Sequence, residues 1–158
     1  MKANVTWKQN MIFTGVADSG FPLQMDAGES VGGGNNGARP MELLVLGLAG
    51  CAAMDVISIL QKKRQHVTQF DVRVNAPRAK DYPQVFTSAV ITYVVVGKGV
   101  EENALLRAIE LAATKYCPAL FMFEQVIPLD MQYEIYEDEG DGNKRLTYHG
   151  VWQELSVD

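Results

Sequence analysis

Apolar and polar residues alternate along Ala3–Lys8 and again along Met11–Ala17, with Gln9-Asn10 between the two runs. Alternation of period two puts every second side chain on one face of a strand, so this pattern predicts a β-hairpin. Asp18-Ser19-Gly20 supplies turn residues before a third strand, Phe21–Asp26. Gly28–Ala38 has no such rhythm and carries Gly32-Gly33-Gly34-Asn35-Asn36-Gly37. It lacks the Gly-Lys-Ser/Thr ending of a phosphate-binding loop, and it is read as a mobile loop over a site or an interface.

From Pro40 to about Arg64 the pattern changes to that of a long helix. Pro40 suits the first turn, Glu42 suits the positive helix start, and Lys62-Lys63-Arg64 suits the negative end. Its middle is apolar nearly all round, through Leu43, Leu44, Val45, Leu46, Leu48, Ala49, Met54, Val56, Ile57, Ile59 and Leu60. Such a helix is expected to be buried on every side. Gly47, Gly50, Ala52 and Ala53 would let another backbone come close, so a second subunit is expected to help cover it. Strands are predicted over Thr68–Pro77, alternating with one wet face, and over Val85–Gly97. An amphipathic helix follows over Glu101–Tyr116, then a short helix from Cys117 to about Gln125 and a strand over Ile127–Tyr136. Residues 1–137 are read as one domain. Residues 138–158 are read as an acidic C-terminal tail: Glu137–Gly142 is turn-like, and Arg145–Val157 adds a strand or stays loose.

The chain has 158 residues, 47% of them hydrophobic and 21% charged, which is ordinary composition for one globular domain. A net charge of −5 argues against a nucleic-acid partner, since phosphate binding needs clustered Lys and Arg. No apolar leader opens the sequence. The helix over Pro40–Arg64 is interrupted by Gly47, Gly50, Asp55 and Ser58, so it is read as a buried helix rather than a membrane span. The expected compartment is the cytoplasm.

Cys51 and Cys117 are the only cysteines and stand 66 positions apart. The spacing leaves two readings open: a redox pair, if the fold brings them together, or two buried structural thiols. A Pro118 in the first turn of a helix would put Cys117 at a helix N-terminus, where the dipole lowers a thiol pKa, and Lys115 can add positive charge. Cys51 lies mid-helix and needs a cation from outside. Arg39 is twelve residues away, ~18 Å along one straight helix, so it reaches Cys51 only from a second copy or across a break. Asp55 lies one turn after Cys51 on the same face and is either a hydrogen-bonded structural group or an anchor for an arginine. His66 and His149 have no metal-ligand spacing, and no metal or cofactor is expected.

The run Gly37-Ala38-Arg39-Pro40-Met41-Glu42-Leu43-Leu44, continuing through Leu48-Ala49-Gly50-Cys51 to Asp55-Val56-Ile57-Ser58-Ile59-Leu60, resembles the first motif of the OsmC/Ohr family of thiol proteins. Ala112-Ala113-Thr114-Lys115-Tyr116-Cys117-Pro118 resembles the second, and the match is nearest to the OsmC-like, YhfA-type branch. The resemblance implies an α+β fold with antiparallel sheets around long central helices, in an intertwined homodimer. It also implies reduction of hydroperoxides, organic ones above all, in oxidative-stress defence. Cys51 would be the peroxidatic thiol and Cys117 the resolving one, with an external dithiol as reductant. The family also uses an activating arginine from the N-terminal strands and a glutamate ten residues before the first cysteine. Here Met41 stands ten before Cys51, Glu42 is one position on, and no arginine precedes Arg39. Arg39 and Glu42 are therefore candidates for that pair, acting from the partner subunit. An alternative keeps the fold with inert thiols and an apolar ligand at the dimer interface, near Met11, Met25, Met41, Met54 and Met122. A purely structural dimer is the third reading.

Overall fold

The computed structural model describes residues 1–153 and is α+β. It contains two compact units, Met1–Leu46 and the chain from Gly47 onward.

The first unit holds an antiparallel sheet of three strands, β1 (Ala3–Gln9), β2 (Ile12–Ala17) and β3 (Pro22–Met25), in the order β1-β2-β3. The hairpin turn places Asn10 at φ +47°, a left-handed conformation that asparagine tolerates. The register slips between Trp7 and Gln9. The alternation forms the expected hairpin, and β1 is exposed along its whole length. A sheet of three short strands has only one layer in this unit, so neither face of β1 is covered.

The glycine-rich segment is held at Asp26 by hydrogen bonds. Asp26, 2% exposed, accepts hydrogen bonds from the backbone amides of Ala27 (2.7 Å), Gly34 (3.0 Å) and Asn36 (3.0 Å), and from the Asn36 side chain (3.4 Å). A Cβ on Gly33 would collide with the Ala27 carbonyl, so a glycine is required by close approach. The Gly34 and Asn36 amides that a phosphate would need are already occupied by this carboxylate.

Helix α1 spans Pro40–Lys62. Leu48, Ala52, Val56 and Leu60, four residues apart, form its buried stripe. Burial of each of the three large side chains contributes about 1.5–3 kcal/mol. The helix is not buried on every side as its composition suggested: Met54 is 74% exposed and Leu46 62%.

The second unit contains a four-stranded sheet in the order β4-β5-β6-β7: β4 (His66–Asn75), β5 (Ala89–Lys98), β6 (Leu129–Gly140) and β7 (Asn143–Trp152). β5 and β6 run parallel and the other pairs antiparallel. The parallel step requires a crossover, supplied by α2 (Glu102–Leu111), a π-helical turn (Ala112–Tyr116) and α3 (Pro118–Glu124). β5 is an interior strand, mostly apolar and buried from Tyr93 to Gly97. It starts at Ala89 rather than Val85, because Val85 and Thr87 are engaged by the loop at Ala79 and Pro77. Leu105, Ala108 and Ile109 of α2 join the α1 stripe, Ile91, Tyr93, Val95, Met131 and Ile135 in one core.

Two sequence expectations are corrected here. The helix expected over Glu101–Tyr116 widens at Ala112, and the acidic Glu137–Gly142 is not a turn. β6 continues to Gly140, only Asp141-Gly142 turn, and β7 returns along it. Positions 154–157 of the expected last segment lie outside the described residues.

The hydrogen bonds from Asn36 and Ala27 hold the Asp26 pKa below its ordinary 3.8, against an opposing effect of burial. A depressed carboxyl pKa stabilises the fold above the unfolded value and loses that contribution as pH falls through the folded one. The stability difference between wild type and Asp26→Asn is therefore expected to be full near neutrality and to shrink below about pH 4, measured by urea unfolding across pH.

Candidate thiol site

Cys51 stands mid-α1, in the position before the buried Ala52, and is half-buried. Asp55 follows four residues later on the same face. Cys117 arrives from the other side of the core. The π-helical turn closes with the Cys117 amide donating to the Ala112 carbonyl at 2.9 Å, five residues back. Pro118 cannot extend the ladder, so Cys117 adopts an extended backbone (φ −84°, ψ 104°) and Pro118 begins α3. This break turns the Cys117 side chain into the core, where it is 3% exposed.

The result is a cluster. Cys51 Sγ, Cys117 Sγ and an Asp55 carboxylate oxygen all lie within 4.8 Å of one another. Both thiols are free. Burial pushes the Cys117 pKa up to about 12; the amides of Leu120 and Ala119 pull the other way, and the neighbouring Cys51 sulfur raises it further. The amides at the start of α3 act in the direction expected of a helix N-terminus, but desolvation of the sulfur outweighs them. Lys115 does not offset this, since its ammonium sits over the Tyr116 ring, 5.3 Å from the centroid. At neutral pH Cys117 keeps its proton and can donate it toward Cys51 Sγ.

Sequence reading missed Tyr93. It lies on β5 opposite Tyr133, fully buried, and its hydroxyl has no hydrogen-bond partner among the described residues. Burial drives its pKa upward, and the nearby Cys117 and Asp55 charges push the same way. Tyr133, by contrast, donates to Glu102 at 2.6 Å. The available signal was a hydroxyl in the aliphatic run Val90-Ile91-Thr92-Tyr93-Val94-Val95. Asp55 is likewise without a hydrogen bond or ion pair among the described residues.

Arg39 and Glu42 belong to the first unit and pair with each other. The Arg39 guanidinium lies 3.0 Å from Glu42 Oε1, and the Arg39 amide donates to Glu42 Oε2 at 2.9 Å. This is the glutamate half of a capping box at the start of α1. Arg39 also donates to Asn35 Oδ1 at 2.7 Å, which fastens the glycine-rich segment to the helix start. The Arg39 amide, then its guanidinium, hold the Glu42 pKa below its ordinary value. His66 and His149 sit exposed on β4 and β7.

The OsmC-like protein family model matches residues 32–132, a span that contains both cysteines and the crossover between them. The chain belongs to the OsmC-like family. It is 34% identical over 135 residues to protein YhfA of Escherichia coli K12, covering 85% of this chain and 98% of YhfA. A hypothetical protein from Aquifex aeolicus superposes with a TM-score of 0.76 at 29% identity, over 87% of this chain and 97% of that one. An organic hydroperoxide resistance protein from Elizabethkingia anophelis shares the fold, with a TM-score of 0.61 at 17% identity over 84% and 92%.

A buried hydroxyl without a partner is costly, by about 1–3 kcal/mol. Tyr93→Phe is therefore expected to raise stability by about 1 kcal/mol in urea unfolding of the reduced protein. A loss of stability would mean that the hydroxyl has an ordered partner in solution.

Proposed function

We propose that the protein is a thiol-dependent peroxidase that reduces organic hydroperoxides and serves in oxidative-stress defence. The observation that carries this reading is the approach of two sulfurs, 66 positions apart in sequence, to within 4.8 Å. Family membership supports it. Cys51, the more accessible of the two, attacks a peroxide oxygen as the thiolate. The O–O bond breaks, the alcohol leaves with a proton, and Cys51 becomes a sulfenic acid. Cys117 then attacks that sulfur. Its thiol proton leaves with the sulfenic hydroxyl as water, and a Cys51–Cys117 disulfide remains. An S–S bond is ~2.05 Å long, so closure needs local side-chain movement. An external dithiol restores both thiols by exchange and is itself oxidised to a disulfide.

The acting unit is a homodimer, which places the reaction at an interface. Gly47 and Gly50 leave open space beside α1, since nothing lies within 4 Å of a Cβ built on either, and Met54 is 74% exposed. A second copy would bury this face. Arg39 of that copy, held by Glu42, is the cation offered to Cys51. The expected compartment is the cytoplasm, where such a disulfide is transient. One cavity favours the ligand-binding alternative: about 350 Å³ lined by Val5, Met11, Phe13, Met25 and Pro40, a volume suited to a small apolar molecule.

Thiol titration of the reduced protein with one equivalent of cumene hydroperoxide is the direct test. Both thiols are expected to disappear rapidly in wild type. None should react in Cys51→Ser, and Cys117→Ser should stop at a dimedone-reactive sulfenic acid. Arg39→Ala is expected to slow the first step at least tenfold. Two thiols surviving excess peroxide would overturn the peroxidase reading and favour the apolar-ligand one. Separately, Met54→Lys places a charge on the exposed α1 face and is expected to shift the protein from dimer to monomer in sedimentation. An unchanged species would remove that face from the interface.

A further inference from the structure

Three features of the thiol cluster are left over by the peroxidase chemistry. Asp55 brings a carboxylate oxygen within 4.8 Å of both sulfurs, and the peroxide chemistry gives it no part. No cation or hydrogen-bond donor among the described residues answers it. The Tyr93 hydroxyl is fully buried, is close enough to feel the charges of Cys117 and Asp55, and makes no hydrogen bond among the described residues. An arrangement of two sulfurs, one carboxylate and one orphaned hydroxyl is poorly suited to being left without a positive charge. It is well suited to a divalent cation.

We propose that Cys51, Asp55 and Cys117 form a binding site for a thiophilic divalent cation of the Zn²⁺ type in the reduced protein. Tetrahedral Zn²⁺ with Zn–S bonds of ~2.3 Å holds its two sulfurs ~3.8 Å apart and accepts a carboxylate oxygen at ~2.1 Å. That sulfur–sulfur separation falls inside the 4.8 Å bound that the three ligand atoms already satisfy. Thiolates favour Zn²⁺ over Mg²⁺ or Ca²⁺, which take oxygen ligands. The ligands come from separate elements, two from one face of α1 and one from the extended residue before α3. Cys51 and Asp55 are half-buried, which leaves an entry path for the ion. Three protein ligands leave a fourth position for water. Tyr93 is the outer hydrogen-bond donor, able to orient a ligating sulfur or the carboxylate.

Binding releases the two thiol protons to solvent, and the dication offsets the charge of two thiolates and one carboxylate to a net of −1. A disulfide has no thiolate to offer, so the ion and the Cys51–Cys117 bond exclude one another. The cluster is then a redox-controlled metal site, and metal occupancy protects the thiols from oxidants. This inference needs only the proximity of the three groups and does not rest on the peroxidase reading.

The test uses the full-length, untagged, reduced protein, titrated anaerobically with Co²⁺ as a spectroscopic probe and then with Zn²⁺. One Co²⁺ per chain is expected, with an intense sulfur-to-cobalt charge-transfer band in the near ultraviolet that Zn²⁺ abolishes by displacement. The band should be absent in Cys51→Ser and in Cys117→Ser. It should also be absent after diamide has taken two electrons and two protons from the thiol pair. Asp55→Asn, which keeps the shape of the side chain, should weaken Zn²⁺ at least ~10-fold in competition with a chromophoric chelator. Circular dichroism of each variant establishes that it is folded. No charge-transfer band in the reduced wild type would overturn the proposal, as would binding that survives loss of both cysteines. Unchanged affinity in Asp55→Asn would overturn the three-ligand site. None of these results depends on peroxide turnover, so this proposal and the peroxidase reading fail separately.

Discussion

The site depends on the break in the crossover at Cys117-Pro118. A proline has no amide hydrogen to continue a helix, and its ring restricts the residue before it to extended backbone. Here that restriction falls on a cysteine. The π-helical turn before it absorbs one extra residue and brings Cys117 out of the α2 register just as the chain must bend. The close approach of two sulfurs therefore rests on one ring closure and one widened turn, both of them local.

Asp26 and Asp55, one buried and one half-buried, show how differently the molecule treats its carboxylates. Asp26 is enclosed and accepts four hydrogen bonds from a loop that would otherwise have no reason to hold its shape. Its cost of burial is offset where it occurs, and its role is structural. Asp55 lies against two sulfurs and an orphaned tyrosine with none of that compensation. Local rules of capping, turn chemistry and polar satisfaction are obeyed at Asp26, at the Arg39–Glu42 helix start and at the Tyr133–Glu102 bond. They are broken together around Cys51 and Cys117. Concentrated violation of this kind is what a site built for chemistry leaves in an otherwise consistent fold.

Much of the architecture was legible because it follows from period. The first hairpin, α1 and the wet face of β4 each carry a repeat that geometry converts directly into an element. The acidic end of β6 was not legible. Asp and Glu are depleted from strands, so Glu137-Asp138-Glu139 reads as a turn. What keeps it extended is its partner. Across the register Glu137 faces Arg145 and Asp138 faces Lys144, Arg145 lies 2.8 Å from Glu139, and the Lys144 ammonium lies 4.6 Å from the centre of the Tyr136 ring. The basic residues that stabilise the strand are on the next strand, beyond the reach of a local pattern. At the site, the two cysteines and Asp55 were named from sequence, while Tyr93 shows there only as a hydroxyl in an aliphatic run and gains its significance from a missing hydrogen bond.

The proposed chemistry and the proposed association meet on helix α1. Its stripe of Leu48, Ala52, Val56 and Leu60 is spent on the core of its own chain. The rest of its circumference is nearly as apolar, yet Met54 and Leu46 remain open to solvent. A helix greasy on both sides gains little from facing water, and contiguous apolar surface on a folded chain marks a surface meant to be covered. Cys51 and Asp55 sit between the two faces, half-buried. Whatever covers the open face therefore also sets the dielectric and the charge around the reactive sulfur, and a second copy that brings Arg39 would do both at once. On the proposed reading the reactivity of this thiol is completed by assembly, a simple physical account of a mid-helix cysteine with a carboxylate beside it and no cation near it among the described residues.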